Sequence, residues 1–207
     1  MRRDMDRKQH WDALYARKSP LDVSWYQADP VLSLELILGT GARQDARILD
    51  VGGGASVLVD RLVQSGFCAL AVLDISSCAL EYAQQRLGAS ANQVEWFETD
   101  VLQFRPPHVY DVWHDRAVFH FLTDAVERRQ YVRVLNEALA PTGSMIVAAF
   151  ALDGPDSCSD LEVVRYDAAG LCAEFGPGFV LTHQVDELHI TPDGGHQKFG
   201  FYRFNRA

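Results

Sequence analysis

Between residues 46 and 150, short apolar runs alternate with stretches in which apolar residues recur every three or four positions. Runs of this kind bounded by turn residues read as buried strands, and the 3.6-residue repeat reads as a helix. Strands are predicted at Ile48–Val51, Ala69–Asp74, Gln93–Val101, Val109–His114 and Ser144–Phe150. Helices are predicted on Leu58, Val59 and Leu62; on Leu80, Tyr82, Ala83 and Leu87, with Ser76 or Ser77 as N-cap; and on Val126, Tyr131, Val134, Leu135 and Leu139, capped by Thr123. That order defines an α/β domain. Upstream, Asp4 to Lys18 predicts an amphipathic helix with Trp11, Leu14 and Tyr15 on one face, stopped by Pro20. Asp29-Pro30 opens another, with Asp as N-cap and Pro at the first helical position. Downstream, Asp153 to Tyr166 reads as a loop, a short helix starts at Asp167, and strands follow at Phe179–His189 and Gln197–Phe204. The last strand carries Phe199 and Phe201 on one face and Tyr202 and Phe204 on the other, so an interior place in the sheet is expected.

Composition narrows the class. The chain has 207 residues, 48% of them apolar, which suits one domain with a large core. A net charge of −9 offers no basic footprint for a phosphate backbone, so no nucleic-acid partner is expected. The longest apolar run, Met145 to Leu152, is too short to span a bilayer, and Met1 to His10 is charged where a secretory signal would be apolar. Cys68, Cys78, Cys158 and Cys172 form no Cys-x-x-Cys pair. A reducing, cytoplasmic setting and no metal site are the expectations.

The chemistry concentrates at Ile48-Leu49-Asp50-Val51-Gly52-Gly53-Gly54-Ala55-Ser56, where a strand turns on three glycines into a helix. Residues without Cβ let the backbone turn sharply and approach a ligand closely. A dinucleotide site would place a further glycine where Val57 stands. Asp50 would also repel a diphosphate and attract a cation. A second strand ends in Asp74, 24 residues after Asp50, and a third in Asp100. A carboxylate at the second strand tip is placed to accept from both hydroxyls of a ribose. Taken alone the glycine turn fits other α/β domains; the three aligned acids make it specific.

Asp-x-Gly-x-Gly followed by strand-tip acids resembles motif I and its successors in the class I S-adenosylmethionine-dependent methyltransferases. The resemblance spans nearly the whole chain. It implies a Rossmann-like fold: a seven-stranded mixed sheet of order 3-2-1-4-5-7-6, last strand antiparallel, with helices on both faces. It also implies one domain over 1–207, with a helical lid over 1–40, a cofactor core over 46–150, and a substrate-side loop and C-terminal hairpin over 151–207. S-adenosyl-L-methionine would be the cofactor and S-adenosyl-L-homocysteine the product. Its site would use Asp50, Gly52, Gly53, Gly54 and Ser56 at the turn, Asp74 with Ile75, Asp100 with Val101, then Asp115 and Trp25.

Residues around the fourth strand bear on the acceptor. Asp115-Arg116-Ala117-Val118 departs from the Asn/Asp-Pro-Pro-Tyr/Phe clamp of nucleobase amine methyltransferases, and no Pro-Cys nucleophile pair stands there. An ion pair between Asp115 and Arg116 is the structural alternative. Trp11 to Tyr15 with Val23-Ser24-Trp25-Tyr26 resembles a lid signature of small bacterial methyltransferases and some protein-lysine methyltransferases. Gly154 to Ser159 and Leu188 to Gln197 resemble motifs of a small bacterial subfamily. The catalytic candidates are Asp115, His120 and His189, the histidines as base or orienter. Transfer to a small molecule is expected. Protein-lysine methylation, a catalytically silent cofactor-binding module and an NAD-dependent oxidoreductase are the alternatives.

Overall fold

A computed structural model describes residues 7–207; the first positions of the predicted Asp4–Lys18 helix lie outside the described residues. Helices α1 (Arg7–Arg17) and α2 (Val31–Leu38) precede the sheet. Then β1 (Arg47–Val51), α3 (Leu58–Gln64), β2 (Ala69–Asp74), α4 (Ser77–Leu87), β3 (Val94–Glu98) and β4 (Tyr110–Arg116) follow in alternation. The chain continues through α5 (Ala125–Ala138), β5 (Leu139–Phe150), a small hairpin of β6 (Ser157–Cys158) and β7 (Leu161–Glu162), α6 (Ala168–Phe175), β8 (Phe179–Ile190) and β9 (His196–Arg206).

Seven strands form one sheet in the order β3-β2-β1-β4-β5-β9-β8. β1 to β5 run parallel, and β9 lies antiparallel between β5 and β8. Without the small hairpin this is the expected order 3-2-1-4-5-7-6 of a Rossmann-like mixed sheet. Alternation along the strands splits the core in two. Leu49, Val51, Trp113, Met145 and Phe204 pack under α5 and α6; Ile48, Val112, Ile146, Phe199 and Phe201 pack under α2, α3 and α4. β9 is buried on both faces, as its two rows of aromatics require.

Several ends differ from the sequence reading. Asp29 does not cap α2: Pro30 holds the N-cap position, and the Asp29 carboxylate accepts from Arg61 Nε at 3.0 Å. α5 is capped by Asp124 rather than Thr123, and its carboxylate accepts from the Val126 amide. β5 begins five residues early, at Leu139, passing through the Pro141-Thr142-Gly143 turn signal with a register shift against β4. Ser76, one of two candidate caps of α4, accepts from the Ala79 amide at 3.3 Å.

Strand order reverses between β1 and β4, because β2 and β3 extend one way and β5, β9 and β8 the other. In open α/β sheets the crevice outside the carboxyl ends at this point is where ligands bind. The glycine turn and all three strand-tip acids open onto it.

Candidate active site

β1 ends in a turn built around two carboxylates. Gly52 has φ +66° and donates its N–H to the Leu73 carbonyl at 2.7 Å, tying the turn to β2. A Cβ on Gly52 would run into Val118; one on Gly53 would lie 2.5 Å from Asp50 Oδ2, and one on Gly54 2.5 Å from Asp74 Oδ2. The glycines thus admit the acids as well as any ligand.

Asp50, 4% exposed, meets His114 Nδ1 at 2.7 Å, and His114 Nε2 meets Ser33 Oγ at 2.9 Å. The register of β1 on β4 sets Asp50 directly beside His114. Asp74 accepts from the Ser76 amide at 2.8 Å. Burial pushes its carboxyl up to about 7, with the Asp50 charge adding to the effect. Asp100 accepts from the Leu102 amide at 2.8 Å and so turns the chain after β3.

α1 lies across these tips. Lys8 Nζ pairs with Glu98 at 2.8 Å and Asp12 at 2.9 Å; Asp12 accepts from Ser76 Oγ at 2.7 Å; Arg7 pairs with Glu127. Trp11 stacks edge-on against Trp25 and Phe121, and Tyr15 against Trp25. The helix has no buried residue of its own, so these contacts hold it.

Beneath this roof lies a cavity of about 120 Å³, with Asp74, Ile75, Asp100 and Val101 at one end and Arg116, His120, Phe150 and Phe199 at the other. A second, of about 50 Å³, is lined by Asp50, Gly53, Ser56, Ser33 and His114. The two share Tyr15, Trp25, Gly52 and Arg116. Of the sequence-derived cofactor candidates, all line one or both cavities except Gly54, which is buried against Asp74, and Asp115.

Two catalytic candidates lie outside the cleft. Asp115 is on the opposite face of β4, wholly buried, and accepts from the amides of Val118 (2.8 Å) and Phe119 (3.1 Å) and from the Tyr131 hydroxyl. It thereby ties down the chain that leads into the 3-10 turn Phe119–Phe121. Nor does it pair with Arg116, because neighbours on a strand point to opposite faces. His189 lines neither cavity; its Nε2 donates to the Ser24 carbonyl at 2.8 Å, which ties β8 to the N-terminal segment. His120 does line the first cavity. It is fully buried, neither ring nitrogen has a hydrogen-bond partner, and burial together with the Arg116 charge pushes its pKa down to about 3. Arg116, His114, Phe150 and Phe199 were missed as site residues. Period-two alternation would have found the first two, since His114 and Arg116 share a face of β4 with the side of β1 that carries Asp50.

A family model described as a methyltransferase domain matches residues 49–145, the segment that carries the glycine turn and strands β2 to β4. Solved structures agree in fold. A S-adenosylmethionine-dependent methyltransferase from Anabaena variabilis is 15% identical with a TM-score of 0.76, covering 99% of this chain and 96% of that one. The N-methyltransferase NodS from Bradyrhizobium japonicum, in complex with S-adenosyl-L-homocysteine, is 20% identical with a TM-score of 0.71, covering 94% and 97%. The Burkholderia thailandensis 1,6-didemethyltoxoflavin-N1-methyltransferase, with that molecule and S-adenosylhomocysteine bound, is 14% identical with a TM-score of 0.68, covering 97% and 84%. No curated protein matches the sequence. Residues 49–145 thus match a methyltransferase domain, and the chain has the fold of S-adenosylmethionine-dependent methyltransferases.

Proposed function

We propose that this protein transfers a methyl group from S-adenosyl-L-methionine to a small-molecule acceptor, in a cytoplasmic setting that suits its four free cysteines. The observation that carries the reading is the line of carboxylates Asp50, Asp74 and Asp100 at adjacent strand tips, opening onto a roofed crevice. Buried acids around the glycine turn suit a cationic ligand without phosphate, and they disfavour a dinucleotide. S-adenosyl-L-methionine, when bound, supplies an electrophilic methyl on a sulfonium and leaves as S-adenosyl-L-homocysteine.

In this reading the chain's residues chiefly align the reactants. Asp100 and the Val101 amide receive the adenine edge, Asp74 the ribose hydroxyls, and Asp50 the ammonium. His114, held by Ser33, keeps Asp50 turned toward the crevice. Trp25 and Tyr15 give the sulfonium an aromatic surface. Positioning of this kind is worth roughly 7–11 kcal/mol at its upper limit. His120 stays neutral at physiological pH, so a ring nitrogen is free to accept a hydrogen bond from the acceptor's O–H or N–H and orient its lone pair. A weakly basic imidazole of this kind serves orientation better than proton abstraction.

Calorimetry with S-adenosyl-L-homocysteine and with NAD tests the cofactor: the first is expected to bind and the second not, and the reverse would sink the reading. Labelled S-adenosyl-L-methionine offered with thiols, phenols, amines, carboxylates and whole-cell protein tests the acceptor. Label entering mainly polypeptide would replace the small-molecule assignment with protein methylation. For the roof, Trp25→Leu is expected to weaken S-adenosyl-L-methionine by about 2- to 30-fold, from a cation–π contribution of about 0.5–2 kcal/mol. The neutral S-adenosyl-L-homocysteine should lose less. Equal losses for both ligands would make Trp25 a packing surface only.

A further inference from the structure

The Arg116 guanidinium is left over once the glycine turn and the strand-tip acids are accounted for. β4 brings it to the wall shared by both cavities, with 11% of its side chain exposed. Nη1 donates to the Trp25 carbonyl at 3.0 Å. Nε and Nη2 have no hydrogen-bond partner. These two donors share the planar edge of the guanidinium that grips a carboxylate through two parallel bonds. Glu187 Oε2 stands 3.8 Å from Nη2, beyond hydrogen-bond reach, while Oε1 accepts from Gln27 Nε2 at 3.0 Å. Glu187 therefore supports the buried charge without closing the fork. Charged donors buried without a hydrogen-bond partner are costly even beside an ion pair, so an oxyanion reaching them gains much.

Position separates this fork from the line of acids. The strand-tip acids sit on β1, on β2 and just after β3, whereas the guanidinium lies 4.6 Å over the ring of Phe199, on β9, toward the other side of the sheet. His120, with both ring nitrogens unpartnered, stacks 4.9 Å from Phe150 in the same part of the cavity. A bidentate cation edge, a free neutral imidazole and a ring of phenylalanines describe a ligand with an anionic end and an apolar body.

We propose that the methyl acceptor is a small carboxylic acid with an aromatic or similarly apolar body, docked edge-on by its carboxylate against Arg116 Nε and Nη2. Its body lies among Phe121, Phe150 and Phe199, and its nucleophilic atom comes within reach of His120. The inference rests on the methyl-transfer reading above. A carboxylate also terminates the cofactor's own aminoacyl end, so the test must tell the two sources apart.

Protein saturated with S-adenosyl-L-homocysteine is titrated calorimetrically with benzoate, phenylacetate and indole-3-acetate, and with the primary amide of each. At least one acid is expected to bind about tenfold or more tightly than its amide, as paired charge-assisted bonds require. Arg116→Met is expected to abolish that preference, and Arg116→Lys, which keeps the charge without the fork, to reduce it. Acids and amides that bind the wild type alike overturn the proposal with no variant needed. S-adenosyl-L-homocysteine and 5′-methylthioadenosine, which lacks the aminoacyl end, are measured on the same variants, and both are expected to keep their affinity within about twofold. Selective loss of S-adenosyl-L-homocysteine affinity would assign the fork to the cofactor's carboxylate and overturn the proposal. Failure of the wild type to bind S-adenosyl-L-homocysteine would overturn methyl transfer and this proposal together.

Discussion

Asp74→Ala is expected to weaken S-adenosyl-L-homocysteine binding by about 30- to 150-fold while the protein still folds. Two hydrogen bonds from ribose hydroxyls to one carboxylate are worth roughly 2–3 kcal/mol, because the acceptor is charged. In the free protein burial holds this carboxyl at about 7, against 3.8 for an ordinary aspartate. The sign follows from linkage. The folded chain binds this proton more tightly than the unfolded chain. The group's contribution to stability is therefore fully present below about 4 and is lost as pH rises through about 7. Binding runs the other way: hydroxyl donors favour the carboxylate, so the proton must leave when the ligand arrives. Affinity should be flat above about pH 7 and fall toward tenfold per pH unit below it. Calorimetry from pH 5.5 to 8.5 checks this. Asp74→Asn, which does not titrate, should show a flatter profile. A wild-type profile without a bend near neutrality, or full affinity in folded Asp74→Ala, would remove Asp74 from the ribose.

Asp50 and Asp74 were legible because each stops the apolar run of a buried strand, whereas Asp100 follows the half-exposed edge strand β3 and was legible from its place after the third apolar segment. The parallel order followed from alternation with helices, and the interior place of β9 from its two aromatic rows. Side-chain direction was less legible. Asp115 and Arg116 are adjacent, and a reading by motif alone took both as one unit at the strand tip. The pleat sends one into the core under α5 and the other into the cleft. His120 was found by its spacing after β4, whereas His189 looked equivalent at the end of β8 and proved to brace Ser24. Its bond crosses 165 positions of sequence, and no local pattern encodes such a partner. The same holds for His114 with Ser33 and for Arg116 with the Trp25 carbonyl. The cap of α5 was placed one residue early, at Thr123 instead of Asp124, since either side chain satisfies the pattern.

Asp115→Ala is expected to cost roughly 3–9 kcal/mol of stability, a large share of the 5–15 kcal/mol typical of a whole domain. The substitution leaves two buried amides, of Val118 and Phe119, and the Tyr131 hydroxyl without their acceptor, at about 1–3 kcal/mol each. Tyr131 in turn accepts from Trp113 Nε1 at 2.8 Å, so the fault spreads into the core beneath α5. The carboxyl is pushed up to about 6 by burial, and the Tyr131 hydroxyl and the two amides hold it from rising further. Ala117, in the same turn, adopts φ +72°, a left-handed conformation that the Asp115 carboxylate helps to hold. Asp115→Asn keeps one carbonyl oxygen for the amides and should lose less than the alanine. Tyr131→Phe should cost about 1–2 kcal/mol, because only the Trp113 donor is stranded. Urea unfolding of the three variants orders them: Ala most destabilised, then Asn, then Tyr131→Phe. Because Asp115 touches neither cavity, whatever fraction of Asp115→Asn remains folded should bind S-adenosyl-L-homocysteine with nearly wild-type affinity. A variant as stable as the wild type that fails to bind would return Asp115 to the active site.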